Sequence, residues 1–160
     1  MRRFVSVLSE LPQLSDKLIY EGGLRLVDAL ERMHAAGRMH CDVKGPNVLL
    51  TEKGHWYLGD YGASVKVGEK VWSCTEQFYP GKSIFTPADP KLDWGMLTVL
   101  LLVELKKKDW AKHLVTMAPR GAPRVTLDKV QAVCQDVRDS QLRGLLKDVV
   151  AKAGWPWMGD

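Results

Sequence analysis

The chain has few cysteines and no hydrophobic run long enough for a membrane. Its three cysteines, Cys41, Cys74 and Cys134, are odd in number and far apart, which fits neither a zinc motif nor a disulfide framework. We therefore expect a reducing compartment, cytoplasmic or nuclear. The mostly apolar stretch 94–103 is well short of the roughly 20 residues that span a bilayer. Polar residues interrupt the N-terminus early, so we expect neither a secretory signal nor a membrane partner.

A strong charge of one sign is also missing. The 160 residues carry a net charge of +4, and 46% of them are hydrophobic. Lysine and arginine are scattered along the chain, whereas a nucleic-acid binder clusters them, so we expect no nucleic-acid partner. No internal repeat or low-complexity tract is present, and the length suits a single domain with its own core. We therefore treat 1–160 as one unit.

The most informative segment is 40–47, His-Cys-Asp-Val-Lys-Gly-Pro-Asn, which Asp60 follows after a short interval. Between them, an apolar run, a polar turn with a glycine and an aromatic run predict a β-hairpin. A hairpin returns the chain to its starting end, so we expect Asn47 and Asp60 side by side. A carboxylate beside an amide oxygen suits a hard cation such as Mg²⁺, and Gly62 allows a sharp turn after the acid.

Two further charged residues, Asp42 and Lys44, lie within the same segment. They are two positions apart, so in an extended loop their side chains can face the same way. A carboxylate near a hydroxyl can accept its proton, and an ammonium can offset charge on a moving phosphoryl group. Asp, Gly, Pro and Asn are also typical of ordinary turns. The full combination, with the hairpin and the second acid, favours a phosphoryl-transfer site.

This combination resembles the protein kinase superfamily, whose serine/threonine branch carries His-Arg-Asp-x-Lys-x-x-Asn and a later Asp-Phe-Gly. The resemblance places the catalytic loop at 40–47, the metal loop at 60–62 and the activation segment at about 62–80. The lysine two positions after the first acid is typical of the serine/threonine branch. Tyr61 replaces the usual phenylalanine and keeps an aromatic ring there.

The resemblance also implies roles for four residues. Asp42 would be the catalytic base, and Lys44 would contact the γ-phosphate of bound ATP. Asn47 and Asp60 would hold the Mg²⁺ ions. Hydroxyl groups in the activation segment are candidate phosphorylation sites, namely Ser64, Ser73, Thr75 and Tyr79.

The chain departs from the kinase pattern at two positions. Cys41 replaces the arginine that often pairs with a phosphate on the activation segment, and a thiol cannot form that pair. We interpret Cys41 as a small buried hydrophobic residue rather than a redox group. Gly81 stands where kinases usually carry the glutamate of Ala-Pro-Glu.

Helices are expected on both sides of the motif. The apolar spacing predicts a helix over 24–36, with Gly22 and Gly23 as a break before it. The apolar run 94–103 predicts a buried core helix, and by resemblance Asp93 would anchor the catalytic loop through backbone hydrogen bonds. Further expectations are a solvated turn at 106–109, a loop at 119–123, helix caps at Thr126 and Ser140, and solvent-exposed or locally bonded histidines at 34, 55 and 113.

These observations predict a mainly α (α+β) fold that resembles the C-terminal lobe of a protein kinase, with a small β-hairpin at the catalytic edge. The kinase N-terminal lobe supplies a glycine-rich loop, a strand lysine and a helical glutamate. None of these has a candidate before residue 24, so we expect that lobe to be absent from these 160 residues, and either to lie upstream in a longer product or to be lost. The isolated chain should then bind Mg-ATP very weakly and show negligible turnover.

The function that the sequence favours is a protein serine/threonine kinase region, which transfers the γ-phosphate of ATP to a hydroxyl of a protein substrate. ATP and Mg²⁺ are the implied cofactors, and a regulatory protein is a further candidate partner. The alternative is a non-catalytic, pseudokinase-like module that binds a partner through its helical surface. An unrelated small helical domain is the third hypothesis.

Overall fold

The computed structural model describes residues 3–75, 79–80, 87–117 and 121–158. Within these ranges the chain forms five α-helices and seven short strands, which agrees with the predicted mixed, mainly helical fold. The helices are α1 (Asp16–Ala35), α2 (Lys91–Lys106), α3 (Trp110–Leu114), α4 (Leu127–Asp136) and α5 (Ser140–Lys152). The strands are β1 (Phe4–Val7), β2 (Arg38–Met39), β3 (Val48–Thr51), β4 (Trp56–Leu58), β5 (Val65–Lys66), β6 (Val115–Thr116) and β7 (Arg124–Val125).

Helix α2 forms the centre of the core, as its sequence predicts. Its side chains are buried nearly all round, including Leu97, Leu101 and Leu102, and it packs against α1 and α5. A helix without a polar face has to be enclosed by other elements, since exposing any face would leave apolar surface in water. The two ends of α2 therefore provide fixed positions for the loops that contact them.

Helix α1 begins eight residues earlier than the sequence predicts. Ser15 caps it by accepting a hydrogen bond from the N–H of Leu18. The interpretation of Gly22 and Gly23 as a break is wrong, because both lie inside the helix and are buried. A Cβ at Gly22 would overlap the ring of Trp56, so glycine is required here for the close packing of α1 on β4.

The predicted hairpin is confirmed as β3 and β4, which pair antiparallel with Val48 opposite Leu58 and Leu50 opposite Trp56. Its turn contains Gly54 with a φ of 76°, a conformation that favours glycine. The sequence did not indicate the third strand of this sheet, β1, which pairs with the other edge of β3.

The structure corrects two further expectations in the C-terminal half. Asp139 caps α5 through the N–H of Leu142, so the cap lies one residue before the predicted Ser140. Thr126 occupies the predicted N-cap position of α4, but its hydroxyl contacts that of Thr116 instead of capping the helix. Gly81 and the first two residues of the predicted loop 119–123 lie outside the described residues.

The predicted solvated turn at 106–109 is also wrong in one respect. Lys107 is half-buried, with a φ of 39°, and its ammonium lies 2.6 Å from the buried carboxylate of Glu104. Among the described helices, none is both long and apolar enough to cross a membrane.

Candidate active site

The segment 40–47 is fixed to the core through Asp93, in the first turn of α2. The backbone N–H groups of His40 and Cys41 donate to the two carboxylate oxygens of Asp93, at 2.9 and 2.8 Å. Asp93 is fully buried, and a buried carboxylate is stable only where hydrogen bonds replace water. The expected anchoring of this loop is therefore present.

A histidine from α1 completes the surroundings of Asp93. His34 Nε2 lies 2.8 Å from Asp93 Oδ2, and its ring packs edge-on against Trp94. The sequence predicted a solvent-exposed or locally bonded histidine here, which is wrong, because the side chain is 11% exposed and its partner is 59 positions away. The imidazole thus connects the end of α1 to the start of α2 at the carboxylate that holds the loop 40–47.

Cys41 has a φ of 67° and is fully buried. Burial raises the pKa of its thiol to about 12, with a further contribution from the charge of Asp93. The thiol is therefore protonated at neutral pH, which agrees with its interpretation as a small buried group.

His40 connects the loop to the end of the hairpin. The N–H of Asp42 donates to His40 Nδ1 at 3.2 Å, so His40 Nε2 carries the proton and donates to the carbonyl of Gly59 at 2.7 Å. Tyr61 packs edge-on against the same ring. One buried side chain thus holds the loop and the segment around Asp60 together.

Asp42 and Lys44 meet at a hydroxyl group from a distant part of the chain. Thr75 Oγ1 donates to Asp42 Oδ1 at 2.7 Å, and Lys44 Nζ donates to the same hydroxyl oxygen at 2.7 Å. The backbone N–H of Thr75 also donates to Asp42 Oδ1, and Lys44 Nζ lies 3.4 Å from Asp42 Oδ2. The carboxylate and the ammonium therefore converge on one hydroxyl group.

The structure gives Thr75 a role that the sequence did not indicate. The sequence pointed to Thr75 only as one of four candidate phosphorylation sites, and a separation of 33 residues from Asp42 leaves no local signal of contact. Of the other three hydroxyl residues, Ser73 is exposed, Ser64 lies near Arg38, and Tyr79 packs against Trp155.

The electrostatic surroundings keep Asp42 ionised. Burial, the largest single influence, would raise its pKa. Hydrogen bonds from Thr75 and Asn47 and the charge of Lys44 together outweigh burial and hold the pKa below its ordinary value. Asp42 is therefore a carboxylate at neutral pH and accepts hydrogen bonds.

Asn47 is oriented by the same carboxylate. Its side-chain Nδ2 donates to the carbonyl of Asp42 at 2.8 Å and to Asp42 Oδ2 at 3.1 Å. Both amide hydrogens are used in this way, so Oδ1 remains as an acceptor. Asn47 is itself buried, which restricts the direction of that oxygen.

Asp60 reaches the same end of the hairpin through the backbone. The N–H of Gly59 donates to the carbonyl of Asn47 at 2.8 Å, which closes the hairpin just before Asp60. Asp60 has a φ of 53° and is exposed, and its Oδ1 accepts a hydrogen bond from the N–H of Gly62. Direct contacts thus join Asp42 to Lys44 and to Asn47, whereas the hairpin brings the residue before Asp60 into contact with Asn47.

The oxygen atoms at this site are of the type that Mg²⁺ prefers. Asn47 offers an amide oxygen and Asp60 a carboxylate, both hard ligands that leave positions for water or phosphate oxygens. In the described part of the chain, no group of three or more His, Cys, Asp or Glu side chains is arranged to hold a metal ion.

Comparisons with known proteins give partial matches. The chain is 44% identical over 41 residues to human mitogen-activated protein kinase kinase kinase kinase 3, covering 26% of this chain and 5% of that protein. It is 38% identical over 64 residues to the Arabidopsis thaliana serine/threonine-protein kinase RUNKEL, covering 40% and 5%. It is 35% identical over 101 residues to the human ribosomal protein S6 kinase-related protein, covering 60% and 24%.

The chain thus spans between 5% and 24% of the length of these relatives. No model of a known protein family matches it. The matches relate part of the chain to serine/threonine protein kinases.

Proposed function

We propose that this chain carries the catalytic centre of a protein serine/threonine kinase, which transfers the γ-phosphate of ATP to a hydroxyl of a protein substrate. The supporting observation is the hydroxyl of Thr75, held between the carboxylate of Asp42 and the ammonium of Lys44. A phosphoryl acceptor needs the same surroundings, a base on its proton and a cation near its oxygen. The proposal places 1–160 in the C-terminal lobe, with loops at 40–47 and 60–62 and an activation segment at about 62–80.

In this proposal Asp42 is the residue that orients the acceptor hydroxyl and takes its proton. Its low pKa keeps it ionised, so it is always available as an acceptor. Lys44 offsets negative charge on the phosphoryl group. Lys44 already lies within hydrogen-bond distance of a hydroxyl held by Asp42, so a substrate hydroxyl that replaced that of Thr75 would make the same two contacts.

Asn47 and Asp60 would hold Mg²⁺, and the bound ion would neutralise charge on the phosphates of ATP. The chain's contribution is orientation: Asp42 fixes the amide of Asn47, and the hairpin fixes the backbone position of Asp60. A protein substrate, a regulatory protein as a second partner, and a cytoplasmic or nuclear location belong to the same proposal.

The metal part can be tested by nuclear magnetic resonance with Mn²⁺-ATP, because the paramagnetic ion broadens the signals of nearby amides even when binding is weak. We expect the ¹⁵N-labelled chain to lose the amide signals of 42–47 and 59–62 first. Asp60→Ala should greatly reduce this broadening. Glu52→Ala is the matched control, since Glu52 is an exposed acid at the opposite end of the same hairpin. Equal broadening in Asp60→Ala would remove Asp60 from the proposed site.

The proposed role of Asp42 in catalysis is tested by a second measurement, the transfer of phosphate from ATP to a substrate. With the chain in excess over a generic serine/threonine substrate, we expect only trace transfer from Mg-ATP. Asp42→Asn should lower that trace by about 100-fold or more, to background, because general-base catalysis contributes about 10² to 10⁴. Transfer that is unchanged in Asp42→Asn would contradict the proposed role of Asp42.

A further inference from the structure

A cleft of about 840 Å³ opens beside the catalytic loop. Its walls are Ser9 with the segment 11–13, the loop residues 43–46, the end of α2 and the turn at 107–110. Lys44 lines this cleft and also contacts Thr75 and Asp42. A molecule bound in the cleft would therefore lie next to the position proposed for the acceptor hydroxyl.

The charges that line the cleft are mostly positive. Four lysines line it, against the two carboxylates of Glu104 and Asp109. Glu104 is 1% exposed, and the ammonium of Lys107 lies 2.6 Å from its carboxylate, so this pair adds little net charge to the surface. Lys107 also donates to the carbonyl of Leu8, which fixes it in place.

The remaining positive charge is available to a ligand. Lys106 is half-buried and Lys108 is exposed, and within the described residues neither forms an ion pair. Asp109 is the exposed acid beside them. The floor of the cleft is apolar, formed by Leu11, Pro12, Leu100, Val103 and Trp110.

We propose that this cleft binds an acidic peptide segment of the protein substrate, with carboxylates against Lys106 and Lys108 and an apolar side chain on the floor. The inference rests on the proposed function and deepens it, because it specifies substrates with acidic residues close to the phosphorylated hydroxyl. The volume lies within the range of about 300–1,000 Å³ that is typical of ligand pockets, enough for a few side chains. A basic peptide would find one exposed carboxylate, Asp109, against the two lysines, because the carboxylate of Glu104 is already paired with Lys107.

Fluorescence anisotropy with labelled nine-residue peptides tests this proposal without ATP or Mg²⁺. One peptide carries a leucine flanked by glutamates, and two others replace the glutamates by glutamines or by lysines. We expect the acidic peptide to bind at least about tenfold more tightly than the glutamine peptide. Its affinity should fall as salt rises, because Lys108 is exposed and Lys106 is only half-buried, so dissolved ions screen their charges.

The double variant Lys106→Glu/Lys108→Glu should lose the preference for the acidic peptide. Lys53→Glu/Lys129→Glu is the matched control, since it makes the same change in net charge at positions outside the cleft. Circular dichroism melts of both variants establish that they are folded. Amide shift changes from the acidic peptide should map to 106–110 in the wild-type chain.

Three results would overturn the proposal: equal binding of the three peptides, an equal loss in the control variant, or no binding at about 1 mM peptide. Competition by single-stranded DNA as effective as by the acidic peptide would also overturn it, since the surface would then recognise any polyanion. A failed Mn²⁺-ATP experiment with a clear preference for the acidic peptide would reject catalysis and leave a docking site. Mn²⁺-ATP binding without that preference would reject the cleft proposal alone.

Discussion

The two ends of α2 each bury a carboxylate, but they stabilise it differently. At the N-terminal end, Asp93 accepts hydrogen bonds from two backbone N–H groups and lies within 2.8 Å of His34. At the C-terminal end, the charged partner of Glu104 is the side chain of Lys107. Backbone amides cannot be withdrawn without moving the loop, whereas Glu104 relies on one side chain, that of Lys107, which the carbonyl of Leu8 also holds. One end of the helix therefore fixes the loop at 40–47 through backbone groups, and the other holds its carboxylate through one side chain at the edge of the cleft.

The position along the helix contributes to this difference. An acid near a helix N-terminus is favoured by the helix dipole, and an acid near the C-terminus is not. Burial raises the pKa of Glu104, and the hydrogen bond and charge of Lys107 oppose that rise only in part. Glu104 thus depends on a single neighbour far more than Asp93 does.

The largest expected effect is that of Asp93→Ala. The substitution leaves the N–H groups of His40 and Cys41 buried without an acceptor, so the free energy of unfolding should fall by about 3–5 kcal/mol. Urea denaturation measures this change. Asp128→Ala is the matched control, an exposed acid in the first turn of α4, and should cost only a small fraction as much. Equal losses would mean that the two acids act through the helix dipole alone.

The second prediction concerns Lys107→Met, which leaves the carboxylate of Glu104 buried without its charged partner. We expect a loss of about 2–3 kcal/mol in the free energy of unfolding. The double variant Lys107→Met/Glu104→Gln should recover much of this loss, because replacing a buried ion pair by neutral groups is often nearly neutral. The recovery isolates the coupling between the two residues. A double variant less stable than Lys107→Met would contradict this interpretation of the pair.

The smallest expected effect is the pH dependence, which has opposite signs for Asp42 and Glu104. The pKa of Asp42 is lowered from 3.8, so its stabilisation is present above that value and is lost as pH falls through the folded-state pKa. The pKa of Glu104 is raised from 4.5, so its stabilisation is complete below that value and is lost as pH rises through the folded-state pKa.

Urea denaturation at a series of pH values separates these two contributions. Asp42→Asn should flatten the loss of stability on the acid side. Glu104→Gln should remove the decline in stability that begins just above pH 4.5 in the wild-type chain. If Glu104→Gln leaves the pH profile unchanged, Glu104 has the same pKa in the folded and unfolded states.

Local patterns in the sequence predicted much of the fold and part of the site. The hairpin and the buried helix α2 follow from short-range periodicity, and the loop at 40–47 follows from the order of its residues. These elements were predictable because the information lies within about 15 residues.

The rest depends on contacts between distant positions. In the sequence alone, Gly22 is typical of a helix break, and only the structure shows that Trp56 packs against it inside the helix. In the same way, no nearby residue indicates that Thr75 contacts Asp42. The sequence predicts a solvated side chain for Lys107, because no nearby pattern indicates that its partner, Glu104, is buried. The pairing of β1 with β3 is likewise invisible to a local pattern.

The closed hairpin determines where the length of this region can vary. Side chains alternate between the two faces of a strand, so inserting one residue into β3 or β4 would turn the following residues to the opposite face and carry Asp60 away from Asn47. The last hydrogen bond of the hairpin runs from the N–H of Gly59 to the carbonyl of Asn47, at the end opposite the turn at 52–55. Insertions and deletions in related chains should therefore collect in that turn, while the number of residues in each strand stays constant.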